Sequence, residues 1–187
     1  ILRIFNSAFD HLTGSQVDLY PEPLRGEIDA LNARVYAAVN NGVYRAGFAT
    51  TEEAYEEAFD ALFQELDWLE RRLVRQRYLA GQYLTEADIR LFTSLIRFDA
   101  VYFGHFKCNW RRIEDYPALS SWLREVYQWP GIAATVDFQH IKGHYYGSHR
   151  QINGNGLVPK GPWLDLDRPH DREALVGKGL WLRQEHR

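Results

Sequence analysis

The apolar residues of this chain recur at the three- and four-residue spacing of an α-helix, and nowhere do they sustain the two-residue alternation of a β-strand. The longest stripe follows an N-cap at Thr50 or Thr51 and an acidic first turn at Glu52 and Glu53. It extends to about Arg75. Its apolar members are Ala54, Ala58, Leu62, Leu66, Leu69 and Leu73. This spacing predicts an all-α fold.

Five further helices are predicted from the same spacing and from the residues that interrupt it. Gly14 ends the first, the Asn40-Asn41-Gly42 segment ends the second, and Trp129-Pro130-Gly131 separates the last two. Pro117 suits the first turn of a helix, where its missing N–H has no intrahelical partner to lose. The predicted helices cover residues 1–12, 24–39, 85–104, 117–128 and 132–141.

The clearest helix start is the segment Leu84-Thr85-Glu86-Ala87-Asp88-Ile89. Thr85 can accept a hydrogen bond from the backbone N–H of Asp88, and Asp88 can reach back to the N–H of Thr85. Leu84 can pack on Ile89 across the turn. Because the helix that follows is mostly apolar, we expect it to be central and buried, with its charged residues paired with one another. These are Arg90, Arg97 and Asp99.

From Gly147 onward, glycine and proline become frequent and prevent regular structure. Residues 147–170 are therefore predicted to lie as an extended arm over the helices, and the last stretch is expected to be poorly ordered. The predicted division is a helical domain at residues 1–146 and an arm with its tail at residues 147–187.

Composition limits the partners of the chain. Its net charge is −3 and it has no dense Lys/Arg run, so nucleic-acid binding is not expected. It has no apolar stretch near the ~20 residues that span a bilayer and no signal segment, and its one cysteine suits a reducing compartment. We therefore expect a soluble cytoplasmic protein. The chain starts within a helical pattern and contains no Met, so we also expect a piece of a longer protein.

The capping segment at residues 84–89 is a hallmark of the helical domain of glutathione transferases. Three further segments resemble the glutathionyl-hydroquinone reductases, also called Xi-class glutathione transferases, and they occur in that family's order. They are NNGVYRAGFA (residues 40–49), RFDAVYFGHFKCN (residues 97–109) and HIKGHYYGSH (residues 140–149). The resemblance runs from residue 1 to about residue 162, and it implies a glutathione transferase C-terminal-like helical bundle with an extended C-terminal arm.

The resemblance also implies a reaction and the parts needed for it. The family subunit joins a thioredoxin-like, glutathione-binding domain to this helical domain, and subunits usually pair as homodimers. A cysteine in a Cys-Pro-Trp motif attacks the thioether of a glutathionyl-hydroquinone, hydroquinone leaves, and a second glutathione clears the mixed disulfide. This sequence contains no Cys-Pro. The resemblance therefore places the nucleophile and most of the glutathione site in an N-terminal domain absent from this chain, which alone should be inactive.

Three tyrosines are the candidate catalytic residues. Tyr44, Tyr102 and Tyr145 each lie near a glycine, at a predicted helix end or in the loop after it, where a side chain can point into a cleft. Hydroxyl donors in such a pocket can stabilise charge that develops on a quinol ring. The resemblance assigns Tyr44 as proton donor or acceptor. It assigns Tyr102 and Tyr145 to lower the pKa of the cysteine by hydrogen bonding to its thiolate. Ordinary half-buried structural tyrosines are the alternative interpretation.

Cys108, His140 and His144 could carry chemistry, but each is interpreted as a structural residue. Cys108 has Lys107 nearby but no resolving partner, and it is expected to be a small buried hydrophobe. His140 and His144 are spaced like two metal ligands, but Gly143 interrupts the helical face, so packing or hydrogen bonding is expected instead.

Two rival functions remain open at this stage. A glutathione-conjugating transferase of the same fold would predict a pocket without the three tyrosines. A non-catalytic, transferase-like interaction module would predict a pocket filled by side chains. The leading hypothesis binds a small aromatic quinol, with glutathione as the cosubstrate.

Overall fold

The computed structural model describes residues 1–183, which form a bundle of helices closed by a C-terminal arm. Short 3-10 turns at residues 22–24, 113–115, 133–135 and 172–174 join the α-helices, and wide π turns occupy residues 36–40 and 98–102. The α-helices are α1 (Leu2–Phe5), α2 (Asp10–Thr13), α3 (Arg25–Val35), α4 (Gly42–Gly47), α5 (Glu52–Leu73), α6 (Glu86–Arg97), α7 (Phe103–His105), α8 (Pro117–Gln128) and α9 (Phe138–Ser148).

The core lies where α5 packs against α4 and α8 and where α6 packs against α3 and α8. The predicted stripe of α5 supplies much of it, since Leu62, Leu66 and Leu69 are fully buried. Trp122 of α8 is the largest fully buried side chain of the described residues. Each buried leucine of this kind contributes about 1.5–3 kcal/mol relative to exposure, so the stripe is a main source of stability.

Two predicted helix starts are confirmed in detail. The Thr51 hydroxyl accepts the Ala54 N–H at 3.3 Å and caps α5. Asp88 accepts the backbone N–H of Thr85 at 2.9 Å in the capping box of α6. The Asp88 carboxylate also accepts from the Leu79 N–H at 2.9 Å and from the Trp122 indole at 3.1 Å. One carboxylate therefore ties α6 to α8 as well as starting the helix.

The first predicted helix, over residues 1–12, is wrong as a continuous element. It is split into α1 and α2, and every residue of both is at least partly exposed. At the end of the first turn, the Asn6 amide donates to the Asp18 carboxylate at 2.7 Å, and its oxygen accepts the Leu19 N–H at 2.8 Å. These bonds tie the N-terminal segment to the connection before α3.

The predicted stop at residues 40–42 is also wrong. Helix α3 continues through the π turn at residues 36–40 and directly into α4. The Asn40 side chain points sideways to α6, where it donates to the Ser94 hydroxyl at 2.6 Å. Gly42 is buried at the start of α4, where an ideal Cβ would lie at an ordinary contact distance of 3.9 Å from Leu62 Cβ of α5, so this glycine does not end a helix.

The last predicted helix, over residues 132–141, is misplaced. Residues 133–135 form only a 3-10 turn, and α9 starts at Phe138 after an N-cap at Asp137, whose carboxylate accepts the Gln139 N–H at 2.8 Å. Gly147, which was predicted to open the arm, lies inside α9. Consequently Tyr145 belongs to a helix and not to a loop.

The charged residues of α6 and the turn after it do not pair with one another as predicted. Arg90 bonds Glu86 at 2.9 Å, one helical turn earlier. The Asp99 carboxylate accepts the backbone N–H of Ile113 at 2.6 Å. Arg97 donates to the backbone carbonyl of Thr93. Local and backbone partners therefore replace the expected side-chain pairs.

The arm follows an irregular path from residue 157 to 171 and then returns to the bundle. Its end forms β2 (Gly179–Leu180), which pairs in parallel with β1 (Tyr83–Leu84), so the all-α prediction holds for the core but misses this small sheet. Buried Arg172 donates to the carbonyl of Gln76 at 2.6 Å. The tail predicted to be poorly ordered is thus packed as far as residue 183, and residues 184–187 lie outside the described residues.

Within residues 1–183, no helix is long and apolar enough to cross a membrane.

Candidate functional site

The structure brings the three predicted tyrosines into one hydrogen-bonded group, called here the tyrosine trio. The Tyr44 hydroxyl lies 2.6 Å from the Tyr145 hydroxyl, and the Tyr102 hydroxyl lies 2.9 Å from the same atom. Tyr145 is therefore the shared centre of the trio. These distances are those of normal hydrogen bonds between hydroxyl groups.

The two π turns help to position the trio. Tyr102 is the last residue of the π turn at residues 98–102, and Tyr44 lies in α4, which follows the π turn at residues 36–40. A π turn adds one residue to the helix and so rotates the residues after it by about 100° relative to an unbroken helix. The periodicity of the sequence carries no clear sign of such turns. The predicted helix end near Tyr44 was misplaced because Asn40, Asn41 and Gly42 are residues typical of a helix stop.

The three tyrosines of the trio differ in how far they are buried. Tyr102 is 2% exposed and Tyr145 is 5% exposed, whereas Tyr44 is 39% exposed. Burial raises the pKa of Tyr44 to about 12, and the hydrogen bond with Tyr145 adds to this effect. Burial likewise raises the pKa of Tyr102 well above its usual value. Both groups are therefore protonated hydroxyls at neutral pH.

Counting protons shows what the trio can offer to a ligand. Three hydroxyls carry three protons, and the two hydrogen bonds within the trio use two of them. One O–H proton is left for an acceptor outside the trio. Because Tyr44 is the one substantially exposed member, the site presents that proton most readily at the Tyr44 hydroxyl.

The trio lies at the wall of an open cleft of about 470 Å³, called here the tyrosine cleft. Polar side chains from α6 and from the π turn before α4 line much of the rest. They are Asn40, Arg90, Thr93, Ser94 and Arg97. The leucine, isoleucine and further tyrosine that complete the lining are Leu2, Tyr36 and Ile89. A flat ring bearing oxygen atoms suits a cleft of this mixed character.

Arg97 is a site residue that the sequence analysis missed, since it was assigned to an ion pair within α6. Its positive charge is close enough to oppose the rise in the pKa of both Tyr44 and Tyr102. Arg97 is the first residue of a segment that was quoted for the family resemblance, and that position was the available signal. The cleft thus combines hydroxyl donors with a cation.

A second layer of aromatic rings supports the trio. The Phe106 ring stacks on the Tyr102 ring at 5.4 Å with a 6° interplanar angle, and its centroid lies 5.2 Å from the Tyr44 ring. Phe48 lies 5.5 Å from Phe106. An ideal Cβ on Gly47 would come within 2.3 Å of Phe106, so only glycine allows this ring to sit beside α4. The close approach fixes the orientation of the tyrosine rings from behind.

Two histidines bridge the elements that carry Tyr102 and Tyr145. His105 Nε2 lies 3.2 Å from His149 Nδ1, which joins α7 to the end of α9. Burial lowers the pKa of both imidazoles, and each is further lowered by a neighbouring histidine. The two neutral rings can therefore share one hydrogen bond. Tyr146, next to Tyr145, packs on His105 at 4.6 Å instead of joining the trio.

Cys108 and His140 do not line the tyrosine cleft. Cys108 is fully buried, and burial raises the pKa of its thiol to about 12, so the thiolate needed for nucleophilic attack is disfavoured. His140 is exposed and lies 3.6 Å from the Asp137 carboxylate. Among residues 1–183, no three His, Cys, Asp or Glu side chains are grouped as a metal site would require.

The sequence is similar to glutathione transferases and to glutathionyl-hydroquinone reductases. Residues 52–125 match the family model described as glutathione S-transferase, C-terminal domain. The glutathionyl-hydroquinone reductase YqjG of Escherichia coli is 54% identical over 177 residues, covering 95% of this chain and 54% of the relative. The glutathionyl-hydroquinone reductase PcpF of Sphingobium chlorophenolicum is 57% identical over 162 residues, covering 87% of this chain and 52% of the relative. This chain spans about half the length of these relatives.

Solved structures give the same assignment of the fold. The glutathione-bound structure of YqjG, a glutathione transferase homologue from Escherichia coli, superposes with a TM-score of 0.90 at 55% identity, covering 92% of this chain and 56% of that one. A Xi-class glutathione transferase from Natrialba magadii superposes with a TM-score of 0.91 at 47% identity, covering 93% of this chain and 53% of that one.

Proposed function

We propose that this chain belongs to the glutathione transferases and supplies the hydroquinone-binding half of a glutathione-dependent reductase, as its similarity to the glutathionyl-hydroquinone reductases supports. The observation that carries this proposal is the tyrosine trio, which presents one O–H proton at the edge of an open cleft. Tyr44 is the proposed proton donor or acceptor, because it is the exposed end of the trio.

The proposed chemistry needs a proton at a defined point. A cysteine thiolate from outside this chain attacks the thioether sulfur of a glutathionyl-hydroquinone and forms a mixed disulfide with glutathione. The electron pair of the broken carbon–sulfur bond goes to the ring carbon, which takes up a proton and leaves as part of the hydroquinone. A second glutathione then reduces the mixed disulfide. A positioned hydroxyl with a neighbour that restores its proton can serve the protonation step.

The roles proposed for the other two tyrosines come from the family resemblance. Tyr102 and Tyr145 would lower the pKa of the attacking thiol by hydrogen bonding to its thiolate, which requires their O–H groups to turn from the trio toward the sulfur. Linked hydroxyls polarise one another, so the donor that reaches the ligand is strengthened by those behind it. Arg97, beside the trio, would stabilise negative charge on a quinol oxygen.

The partners proposed for the whole protein follow from the same relatives. Glutathione would act as cosubstrate and be bound mainly by a thioredoxin-like domain outside this chain. The protein would work as a cytoplasmic homodimer on a small aromatic quinol. A conjugating transferase is the less favoured proposal, because it predicts a pocket without the three tyrosines that meet in this cleft.

Binding of a hydroquinone to this chain alone tests the proposal. Reduced menadione (menadiol), kept under anaerobic conditions, would be titrated by NMR with the cleft residues as reporters. The Tyr44→Phe variant should bind several-fold more weakly, because it removes the outward donor. Tyr55→Phe is the matched control, since the Tyr55 hydroxyl bonds the Lys107 carbonyl at 2.7 Å elsewhere on the surface. Absence of menadiol binding, or equal effects of the two variants, would contradict the proposal.

A further inference from the structure

A second cavity lies on the other side of α6 and is called here the arm cavity. It has a volume of about 230 Å³ and is enclosed by α6, by α8 and by residues 162–168 of the arm. Leu95, Leu123 and Leu164 form part of its apolar lining. As described over residues 1–183, its lining has no residue in common with that of the tyrosine cleft.

Arg124 is the unusual feature of the arm cavity. Its side chain lines the cavity, yet the residue is only 7% exposed. Within the described part of the chain, its Nε has no hydrogen-bond partner. Its Nη1 donates to the Ser120 hydroxyl at a long 3.4 Å. A buried guanidinium normally has its charge paired and its donors satisfied, so Arg124 requires an explanation.

The carboxylate nearest to Arg124 is already engaged. Glu114 Oε2 lies 4.0 Å from the Arg124 Nη1, at the limit of an ion pair, while Glu114 Oε1 bonds Arg168 at 2.7 Å. Asp99, which also lines the cavity, accepts two backbone N–H groups. Within residues 1–183, the Arg124 guanidinium therefore has no carboxylate closer than 4.0 Å, although the charges of Glu114, Asp171 and Asp165 favour its protonated form. Burial, together with the nearby positive charge of Arg168, lowers the pKa of Arg124.

The arm supplies apolar side chains to the same cavity. Pro162, Trp163 and Leu164 line the cavity, and Trp163 is 83% exposed. This exposure leaves the Trp163 ring accessible to a ligand. The cavity therefore combines apolar side chains with the donors of a buried guanidinium. Its volume of about 230 Å³ exceeds the roughly 150 Å³ of an apolar cavity that holds benzene, so a single-ring molecule fits.

We propose that the arm cavity binds a small monocarboxylate with a single apolar ring, whose carboxylate pairs with Arg124 and whose ring lies between the leucine wall and Trp163. The planar guanidinium matches a carboxylate with two parallel hydrogen bonds. A doubly charged phosphate fits less well, since Glu114 and Asp165 also line the cavity. A neutral ring would leave the Arg124 charge unpaired.

Calorimetric titration of this chain with sodium benzoate tests the proposal. We expect saturable binding at one site, and binding of the neutral isostere benzamide that is at least about tenfold weaker. Arg124→Gln should raise the Kd for benzoate by a similar factor. Arg45→Gln is the matched control for loss of one positive charge, because Arg45 pairs with Glu57 on an exposed surface. The Kd of this variant for benzoate should be unchanged.

A second variant keeps the test independent of folding. Trp163→Ala removes an exposed side chain, so the fold should persist while benzoate binding weakens about threefold or more. Lack of saturable benzoate binding, equal affinities for benzoate and benzamide, or full affinity in Trp163→Ala or in folded Arg124→Gln would each overturn the proposal.

Discussion

The hydroxyl groups of Tyr44 and Tyr145 lie 2.6 Å apart although 101 positions separate the two residues in the chain. Tyr44 lies in α4 and Tyr145 in α9, and Tyr102 joins them from the end of the second π turn. Each hydroxyl therefore depends on the packing of a different element. The following predictions test how the trio is held and what it does.

Removing the central hydroxyl should change the titration of its neighbour. In Tyr145→Phe, Tyr44 loses a hydrogen bond that raises its pKa, so that pKa should fall below about 12 while remaining above the ordinary value of 10.0 because burial persists. NMR of ¹³Cζ-labelled tyrosine over an alkaline pH series measures this directly. A Tyr44 pKa that does not move would show that the 2.6 Å bond is absent in solution.

The same variant should also lose stability. The Tyr102 hydroxyl is buried and bonds Tyr145, so Tyr145→Phe leaves a buried donor unpaired. The free energy of unfolding should decrease by about 1–3 kcal/mol in urea denaturation. Tyr55→Phe, which removes an exposed hydroxyl, should cost less. Equal stabilities of Tyr145→Phe and the unaltered chain would contradict this account.

A matched pair of glycine substitutions tests the ring layer behind the trio. Gly47→Ala would place a Cβ 2.3 Å from Phe106, and the forced movement should cost about 1–3 kcal/mol of stability and shift the ring signals of Tyr102. Gly143→Ala is the control, because an ideal Cβ there meets no described atom within 4 Å in the middle of α9. It should stabilise the chain by about 0.5–1 kcal/mol. A neutral Gly47→Ala would contradict the close packing.

The His105–His149 contact predicts a dependence of stability on pH. Burial lowers the pKa of both imidazoles below 6.5, so the unfolded chain binds more protons than the folded chain just below that value. Their contribution to stability is present above pH 6.5 and is lost as the pH falls through the lower folded pKa values. Urea unfolding at pH 7 and pH 5 should show that the free energy of unfolding falls less between these pH values in His105→Gln than in the unaltered chain. Equal losses would indicate that other groups govern the effect.

Asp88 should be among the most costly single substitutions. Asp88→Ala leaves the N–H groups of Thr85 and Leu79 and the indole of Trp122 without their acceptor. The free energy of unfolding should fall by about 3–5 kcal/mol. Thr51→Ala, which removes an exposed cap of α5, should cost only about 1 kcal/mol. Similar costs for the two variants would show that the buried network is weaker than the geometry indicates.

The helices that the sequence predicts well are those with two independent signals. Helices α5, α6 and α8 combine an apolar stripe with a cap or an N-terminal proline, and their starts are confirmed. Helix α9 was misplaced because Gly143 and Gly147 suggest an end, whereas the Asp137 cap and packing keep them helical. Local propensity is weak enough for tertiary contacts to override it.

The candidate site, too, could be predicted only in part from the sequence. The identities of Tyr44, Tyr102 and Tyr145 could be proposed from motif resemblance, but their mutual contact depends on two π turns that leave little mark on the sequence. The place of Arg97 beside the trio was missed, because the sequence cannot show which face of α6 a charge occupies once the helix is nearly all buried. Arg124 was likewise indistinguishable from an ordinary surface arginine.

The most direct test of the central claim is glutathione-dependent release of menadiol from glutathionyl-menadione, measured with this chain joined to a cysteine-bearing thioredoxin-like domain. We predict release by the joined protein, no release by this chain alone, and a fall in kcat of roughly 100-fold or more in joined Tyr44→Phe but not in joined Tyr55→Phe. Absence of release from the joined protein, or full activity of Tyr44→Phe, would contradict the proposal that this half supplies the hydroquinone site and its proton.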